Sequence, residues 1–179
     1  MTELDIQFRA LDASDKRTDF CCGNIELDRF FQRYAGQNQF RHHVGATYVS
    51  LVDNRIAGFV TVSAGEISVE NLPDSTRKRL PEFPLPIMRI ARLAVDIQFQ
   101  GLGLGKKILG ASFQLALEMK SRYGCIGIVV DAKQESAEFY QKLGFIALQA
   151  LAGELGDRPQ PIPLFLPIHT VEQARRNKK

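Results

Sequence analysis

The residues with the sharpest chemical signature are Gln100-Gly101-Leu102-Gly103-Leu104-Gly105, followed by Lys106 and Lys107, set directly between a strand pattern and a helix pattern. Alternate glycines let backbone N–H groups approach a ligand without Cβ interference, and a helix opening at their end adds a positive dipole suited to phosphate. A dinucleotide fingerprint G-x-G-x-x-G needs glycine at 106, where Lys106 stands, and a Walker-type loop needs glycine at 100 and Ser or Thr at 107, where Gln100 and Lys107 stand. Cations in a first helical turn oppose the macrodipole at about 0.3–1 kcal/mol each unless an anion compensates, so Lys106 and Lys107 point to a bound polyphosphate. The competing reading is a plain glycine turn with solvated lysines; the strand-turn-helix setting weighs against it. A second concentration of chemistry lies upstream, where Arg77, Lys78, Arg79, Arg89 and Arg92 stand against Asp74 and Glu82. Such an excess suits nucleic-acid phosphates, and its bland alternative is a solvated loop.

These groups need a scaffold, and 179 residues suffice for one domain. The expectation is a single domain over residues 1–170 and a charged, mobile tail over 171–179. Hydrophobic residues at 45% and charged residues at 24% exclude a disordered, coiled-coil or collagen-like chain. No apolar stretch approaches the roughly 20 residues of a membrane span, and the amino terminus lacks a basic-then-apolar signal pattern. Cys21, Cys22 and Cys125 offer no ligand spacing with His42, His43 and His169. The reading is therefore a cytoplasmic protein without membrane or metal, its cysteines small buried residues. A net charge of +3 is too weak to diagnose nucleic-acid binding by itself.

Periodicity places a strand at 5–10, a helix at 25–41 with Leu27, Phe30, Phe31 and Tyr34 on its apolar face, and strands at 46–52 and 56–63 joined by an Asp53-Asn54 hairpin turn. A strand at 87–95 leads through the turn at 96–105 into a helix ending at Gly124. A buried central strand follows at 126–130, then a helix at 134–143 stopped by Gly144, and closing strands at 145–148 and 163–168. Two proline clusters, Pro73 to Pro86 and Pro159 to Pro167, read as connections.

Three segments, Leu93-Ala94-Val95-Asp96, Gln100-x-x-Gly103-x-Gly105 and Ala137-x-Phe139-Tyr140-x-Lys142-x-Gly144-Phe145, together resemble the GNAT superfamily of acetyl-CoA-dependent N-acetyltransferases. Phe20-Cys21-Cys22-Gly23, Leu27-Asp28-x-Phe30-Phe31, Arg92-Leu93-Ala94-Val95-Asp96 and Leu164-Phe165-Leu166 narrow the resemblance to the GNAT toxins of bacterial toxin-antitoxin pairs, which acetylate aminoacyl-tRNA and stop translation. The resemblance implies an α/β GNAT fold, a mixed central sheet flanked by helices. It implies acetyl-CoA as cosubstrate, its pantetheine arm along Leu93, Ala94 and Val95 and its pyrophosphate at Gln100, Gly101, Leu102, Gly103, Leu104, Gly105 and Lys106. It further implies charged tRNA as acceptor, with Arg77, Lys78, Arg79, Arg89 and Arg92 at its phosphates, a ribbon-helix-helix antitoxin and a homodimer. Two departures are Gln134, where the superfamily often has Asn, and Cys21, where Asp or Asn is more usual.

The implied chemistry needs a neutral amine and protonation of a leaving thiolate. Ile87 to Leu93 contains no carboxylate base, which suits an α-amine of pKa about 8 better than a lysine near 10.4. Tyr140 is the expected general acid, with Phe139 as the packing aromatic. Other readings are an N-acetyltransferase of a small amine, polyamine or protein N-terminus, and a catalytically idle acetyl-CoA-binding module.

Overall fold

The computed structural model describes residues 3–148 and 161–177. Among these, seven strands form a mixed sheet in the order β1-β2-β3-β4-β5-β7-β6: β1 (Ile6–Ala10), β2 (Ala46–Val52), β3 (Arg55–Ile67), β4 (Leu85–Val95), β5 (Gly127–Ala132), β6 (Ile146–Ala147) and β7 (Ile162–Pro167). The chain packs as two compact units, Met1–Ser63 with Ala91–Gln114, and Ala64–Ile90 with Leu115–Lys179.

In the first unit, β1 and β3 both run antiparallel to β2. The turn at Asp53 (φ 49°) and Asn54 (φ 60°) has both central residues left-handed, the hairpin geometry whose twist matches its strands. Helix α1 (Ile25–Arg29) starts because the Asn24 side chain accepts from the N–H groups of Glu26 and Leu27, while Glu26 and Asp28 face the positive dipole end. It continues as wider π-helical turns over Phe30–Tyr34 and Gln37–His42, and the Ala35 N–H reaches back five residues to the Phe30 carbonyl. That widening corrects the expected apolar face, because it rotates the residues behind it: Tyr34 is 47% exposed and Ala35 takes the buried place. Phe31 stacks on Phe59 at 4.4 Å between ring centroids, and Phe20 meets both rings. With Phe30, Val49, Leu51 and Ala94 they form the core of this unit.

The second unit buries Ile67, Leu72, Leu85, Ile87, Val129 and Phe165 together. Strands β4 and β5 pair in parallel, and β7 lies antiparallel to β5 and β6. The two proline clusters do more than connect. The first holds α2 (Asp74–Arg77) and the start of β4, and the second supplies Pro163 and Pro167 to β7. The expected mobile tail is also corrected. Residues 168–176 form helix α5 (Ile168–Arg176), whose Val171 is fully buried and whose Glu172 pairs with Lys120. Lys178 and Lys179, and Pro159 of the second cluster, lie outside the described residues.

Candidate active site

Strand β4 pairs in parallel with β5 at Met88, Arg89 and Ile90 and itself runs on to Val95. In a strand, successive residues turn their N–H and C=O to opposite sides. The Asp96 N–H donates to the Ala57 carbonyl at 2.8 Å. A Cβ on Gly58 would stand 3.0 Å from the Ala94 carbonyl oxygen and 2.5 Å from Ile108 Cδ1, so only glycine admits this close approach. Ala94 and Asp96 therefore face β3, and Leu93 and Val95 face the other edge. The Val95 carbonyl accepts from Gln100 Nε2 at 2.9 Å. Ala94, expected beside the cofactor, puts its methyl group into the aromatic core.

After β4, a single 3₁₀ turn (Ile97–Phe99) is capped by the Asp96 carboxylate, which accepts from the Gln98 N–H at 3.0 Å. Gly101 (φ +79°) and Gly103 (φ +77°) then adopt left-handed conformations, and a Cβ on either would meet nothing within 4 Å. Their glycine identity thus answers a backbone demand, and among the described residues the space beside the turn is open. The third glycine differs, because Gly105 already lies in the first turn of α3 (Leu104–Arg122). Leu104 anchors that helix with a buried side chain, whereas Leu102 is exposed. The first N–H groups of a helix lack intrahelical partners, and no acidic residue occupies this first turn. Lys106 and Lys107 are exposed beside it.

Tyr140 lies on α4 (Gln134–Lys142), in the second unit. It is 6% exposed against 36% for Phe139, which corrects the assignment of Phe139 as the packing ring. Both Phe139 (5.1 Å) and Phe145 (5.4 Å) contact its ring edge to face. Burial pushes its phenol up to about 12, so the hydroxyl keeps its proton at any physiological pH. Among the described residues that hydroxyl has no hydrogen-bond partner.

The basic residues divide by environment. Arg77 pairs with Asp74 at 2.8 Å and Arg89 with Asp131 at 2.6 Å, so both charges are largely answered within the chain. Lys78 and Arg79 are exposed and have no acidic partner among the described residues. Arg92, in the first unit, stacks its guanidinium 3.8 Å from the Phe30 ring centroid, and burial lowers its pKa. Sequence reasoning had no means of seeing Asp131 as the partner of Arg89, since 42 residues separate them.

Cysteine placement needs correction as well. Cys125 is buried, but Cys21 is exposed and Cys22 half-buried, because the segment carrying them is held by its backbone. A cavity of about 500 Å³ in the first unit is lined by Arg9, Asp15, Lys16, Asp19, Arg55 and Asp96 among others and includes none of the glycine turn. Arg9 and Asp15 neutralise each other there at 2.8 Å. Among the described residues no group of three or more His, Cys, Asp or Glu side chains is placed to hold a metal, and no helix is long and apolar enough to cross a membrane.

Residues 43–147 match the family model for the acetyltransferase (GNAT) domain. A tRNA-acetylating toxin of Mycobacterium tuberculosis is 29% identical over 140 residues, covering 76% of this chain and 82% of that protein. Among solved structures, AtaT complexed with acetyl-methionyl-tRNAfMet superposes with a TM-score of 0.81 at 24% identity, over 96% of this chain and 99% of that one. A tyrosine-to-phenylalanine mutant of AtaT, bound to the C-terminus of the antitoxin AtaR and to acetyl-CoA, superposes with a TM-score of 0.75 at 21% identity, over 96% and 98% of the two chains. These structural likenesses show the fold.

Proposed function

The chain belongs to the GNAT acetyltransferase family, and from that premise we propose that it transfers acetyl from acetyl-CoA to the α-amine of aminoacyl-tRNA, as a toxin that blocks translation. The observation that carries this reading is the turn after β4, with left-handed Gly101 and Gly103 leading into helix α3. The tRNA-acetylating toxin of M. tuberculosis and the AtaT complex with acetyl-methionyl-tRNAfMet support the choice of acceptor.

Acetyl-CoA supplies the acetyl group as a thioester activated toward amines. The chain's own part begins with its backbone. The Leu93 N–H and C=O and the Val95 N–H pair with the amides of the pantetheine arm, as an added strand would. N–H groups from Gly101 to Lys106 receive the pyrophosphate with the dipole of α3, and the Lys106 ammonium adds its charge. β4 offers no carboxylate to take a proton from the acceptor. An α-amine of pKa about 8 is partly neutral at cellular pH without such help, and a lysine near 10.4 is not. As the C–N bond forms and the C–S bond breaks, Tyr140 donates its phenolic proton to the sulfur. The proton lost by the acylated nitrogen passes to solvent, and solvent returns one to Tyr140. Lys78, Arg79 and Arg92 carry the acceptor phosphates, with Arg77 and Arg89 contributing less because each already has a carboxylate partner.

A substrate of charged tRNA fits a cytoplasmic protein, and the antitoxin-bound relative supports a partner antitoxin; that this partner is a ribbon-helix-helix protein and the enzyme a homodimer follows from the family resemblance. The test is transfer of labelled acetyl to charged tRNA, with uncharged tRNA, peptides and polyamines as parallel acceptors. Label on charged tRNA alone is expected. Label only on peptides or polyamines would keep the acetyltransferase and remove the toxin, and no label despite acetyl-CoA binding would leave an idle binding module.

A further inference from the structure

Within the first unit, the chain from Phe20 to Asn24 forms a strap fastened to the segment that enters the glycine turn. The Cys21 N–H donates to Asp96 Oδ2 at 3.1 Å, and the Ile97 N–H donates to the Cys21 carbonyl at 2.8 Å. Gln100 Nε2 donates to two carbonyls at once, Cys22 at 2.8 Å and Val95 at 2.9 Å. The Cys22 N–H donates in turn to Asp28 Oδ1 at 2.7 Å, tying the strap to α1. Asp96 is buried, and its two oxygens are divided between the strap and the cap of the 3₁₀ turn. These contacts with residues 95–100 use the strap's backbone, which is why Cys21 can leave its thiol exposed.

We infer that Gln100 and Asp96 are positioning residues for the cofactor turn: the Gln100 amide joins the strap to the end of β4 and sets the direction in which the Gly101 and Gly103 amides are presented. This rests on the reading that the turn holds the pyrophosphate of acetyl-CoA. Gly101 and Gly103 have wide backbone freedom, and nothing lies within 4 Å of where their Cβ atoms would be. Among the described residues nothing therefore holds the turn from its open side. Restraint comes from the residue before it, whose side-chain nitrogen is fixed at both carbonyls. Amides that must be ordered on binding lose part of the interaction free energy to chain entropy, so a braced turn binds the anion more tightly than a free one. Gln100 thereby acts through the turn, its amide nitrogen already committed to the protein.

Calorimetric titration of the full chain with acetyl-CoA tests this, alongside steady-state kinetics on charged tRNA. Gln100→Ala is expected to raise the acetyl-CoA Kd about tenfold, two modest hydrogen bonds being lost. At saturating acetyl-CoA, kcat and the KM for charged tRNA are expected to stay within about twofold of wild type. Gln100→Glu, of equal length, sets an acceptor against two carbonyl oxygens and weakens binding at least as much. Gln100→Arg keeps donors within reach and recovers most of the affinity, a rescue that loss of general stability would not produce. Wild-type affinity in Gln100→Ala and Gln100→Glu, or a fall in kcat equal to the loss in binding, overturns the inference. Failure of the wild-type chain to bind acetyl-CoA would instead refute the reading of the turn itself.

Discussion

The guanidinium of Arg92 lies 3.8 Å from the centroid of the Phe30 ring, and no carboxylate among the described residues answers it. Arg89, three positions earlier on β4, is held by Asp131 at 2.6 Å. Two arginines of one strand thus differ in how much charge they offer a ligand. Stacking orders Arg92 before any phosphate arrives, so little rotamer entropy is lost on contact.

Arg92→Gln is accordingly expected to raise the KM for charged tRNA about tenfold and to lower the slope of log affinity against log salt by about one. Arg89→Gln is expected to do much less, and Asp131→Asn to strengthen tRNA binding by releasing Arg89. Filter binding across a salt series checks all three variants. Equal losses for Arg89→Gln and Arg92→Gln would show that the ion pair does not govern their contribution.

Tyr140→Phe is expected to lower kcat by about 10²- to 10⁴-fold, the usual range for a lost general acid. It should leave the melting temperature near wild type, since the hydroxyl has no partner to lose among the described residues. Circular dichroism beside the transfer assay separates the two effects.

The pH dependence carries its own sign. The Tyr140 phenol is raised from its ordinary value near 10 to about 12 by burial. The acid is therefore fully protonated across the assay range, and kcat/KM should rise as the acceptor amine loses its proton near pH 8 and then stay level past pH 10. For stability, the folded state holds this proton more tightly than the unfolded chain does. Its contribution is complete below pH 10 and is lost between pH 10 and 12. A falling limb in activity near pH 9 that is absent from Tyr140→Phe would contradict the raised phenol, and one that persists in Tyr140→Phe would belong to another group.

Glycine substitutions separate backbone strain from crowding. Gly101→Ala meets no atom but forces a left-handed conformation on alanine, at a cost of about 1–3 kcal/mol. Gly101→Asn should be milder, because Asn tolerates that conformation. Gly58→Ala drives a methyl group against Ile108 and the Ala94 carbonyl, an overpacking of about 1–3 kcal/mol that no polar replacement relieves. Thermal unfolding of the three variants checks the order.

Local chemistry made much of this molecule legible in its sequence. The Asp53-Asn54 turn, the strand at 46–52, the glycine turn and the stops at Gly124 and Gly144 all follow from short-range conformational preference. What escaped depends on contacts distant in the chain. The π-helical widening that exchanges Tyr34 for Ala35 in the core is not encoded by a three-to-four spacing. Helix α5 was hidden because its charged Arg175 and Arg176 mask one buried Val171. Gln100 sits inside a recognisable motif, yet the destination of its amide, the Cys22 carbonyl, is 78 residues away.

The most direct measurement is mass spectrometry of aminoacyl-adenosine released by nuclease from charged tRNA after incubation with the enzyme and isotopically labelled acetyl-CoA. Labelled acetyl on the α-amine, abundant with wild type and nearly absent with Tyr140→Phe, is the expected result. Unmodified aminoacyl-adenosine after incubation with an enzyme that demonstrably binds acetyl-CoA would contradict the account.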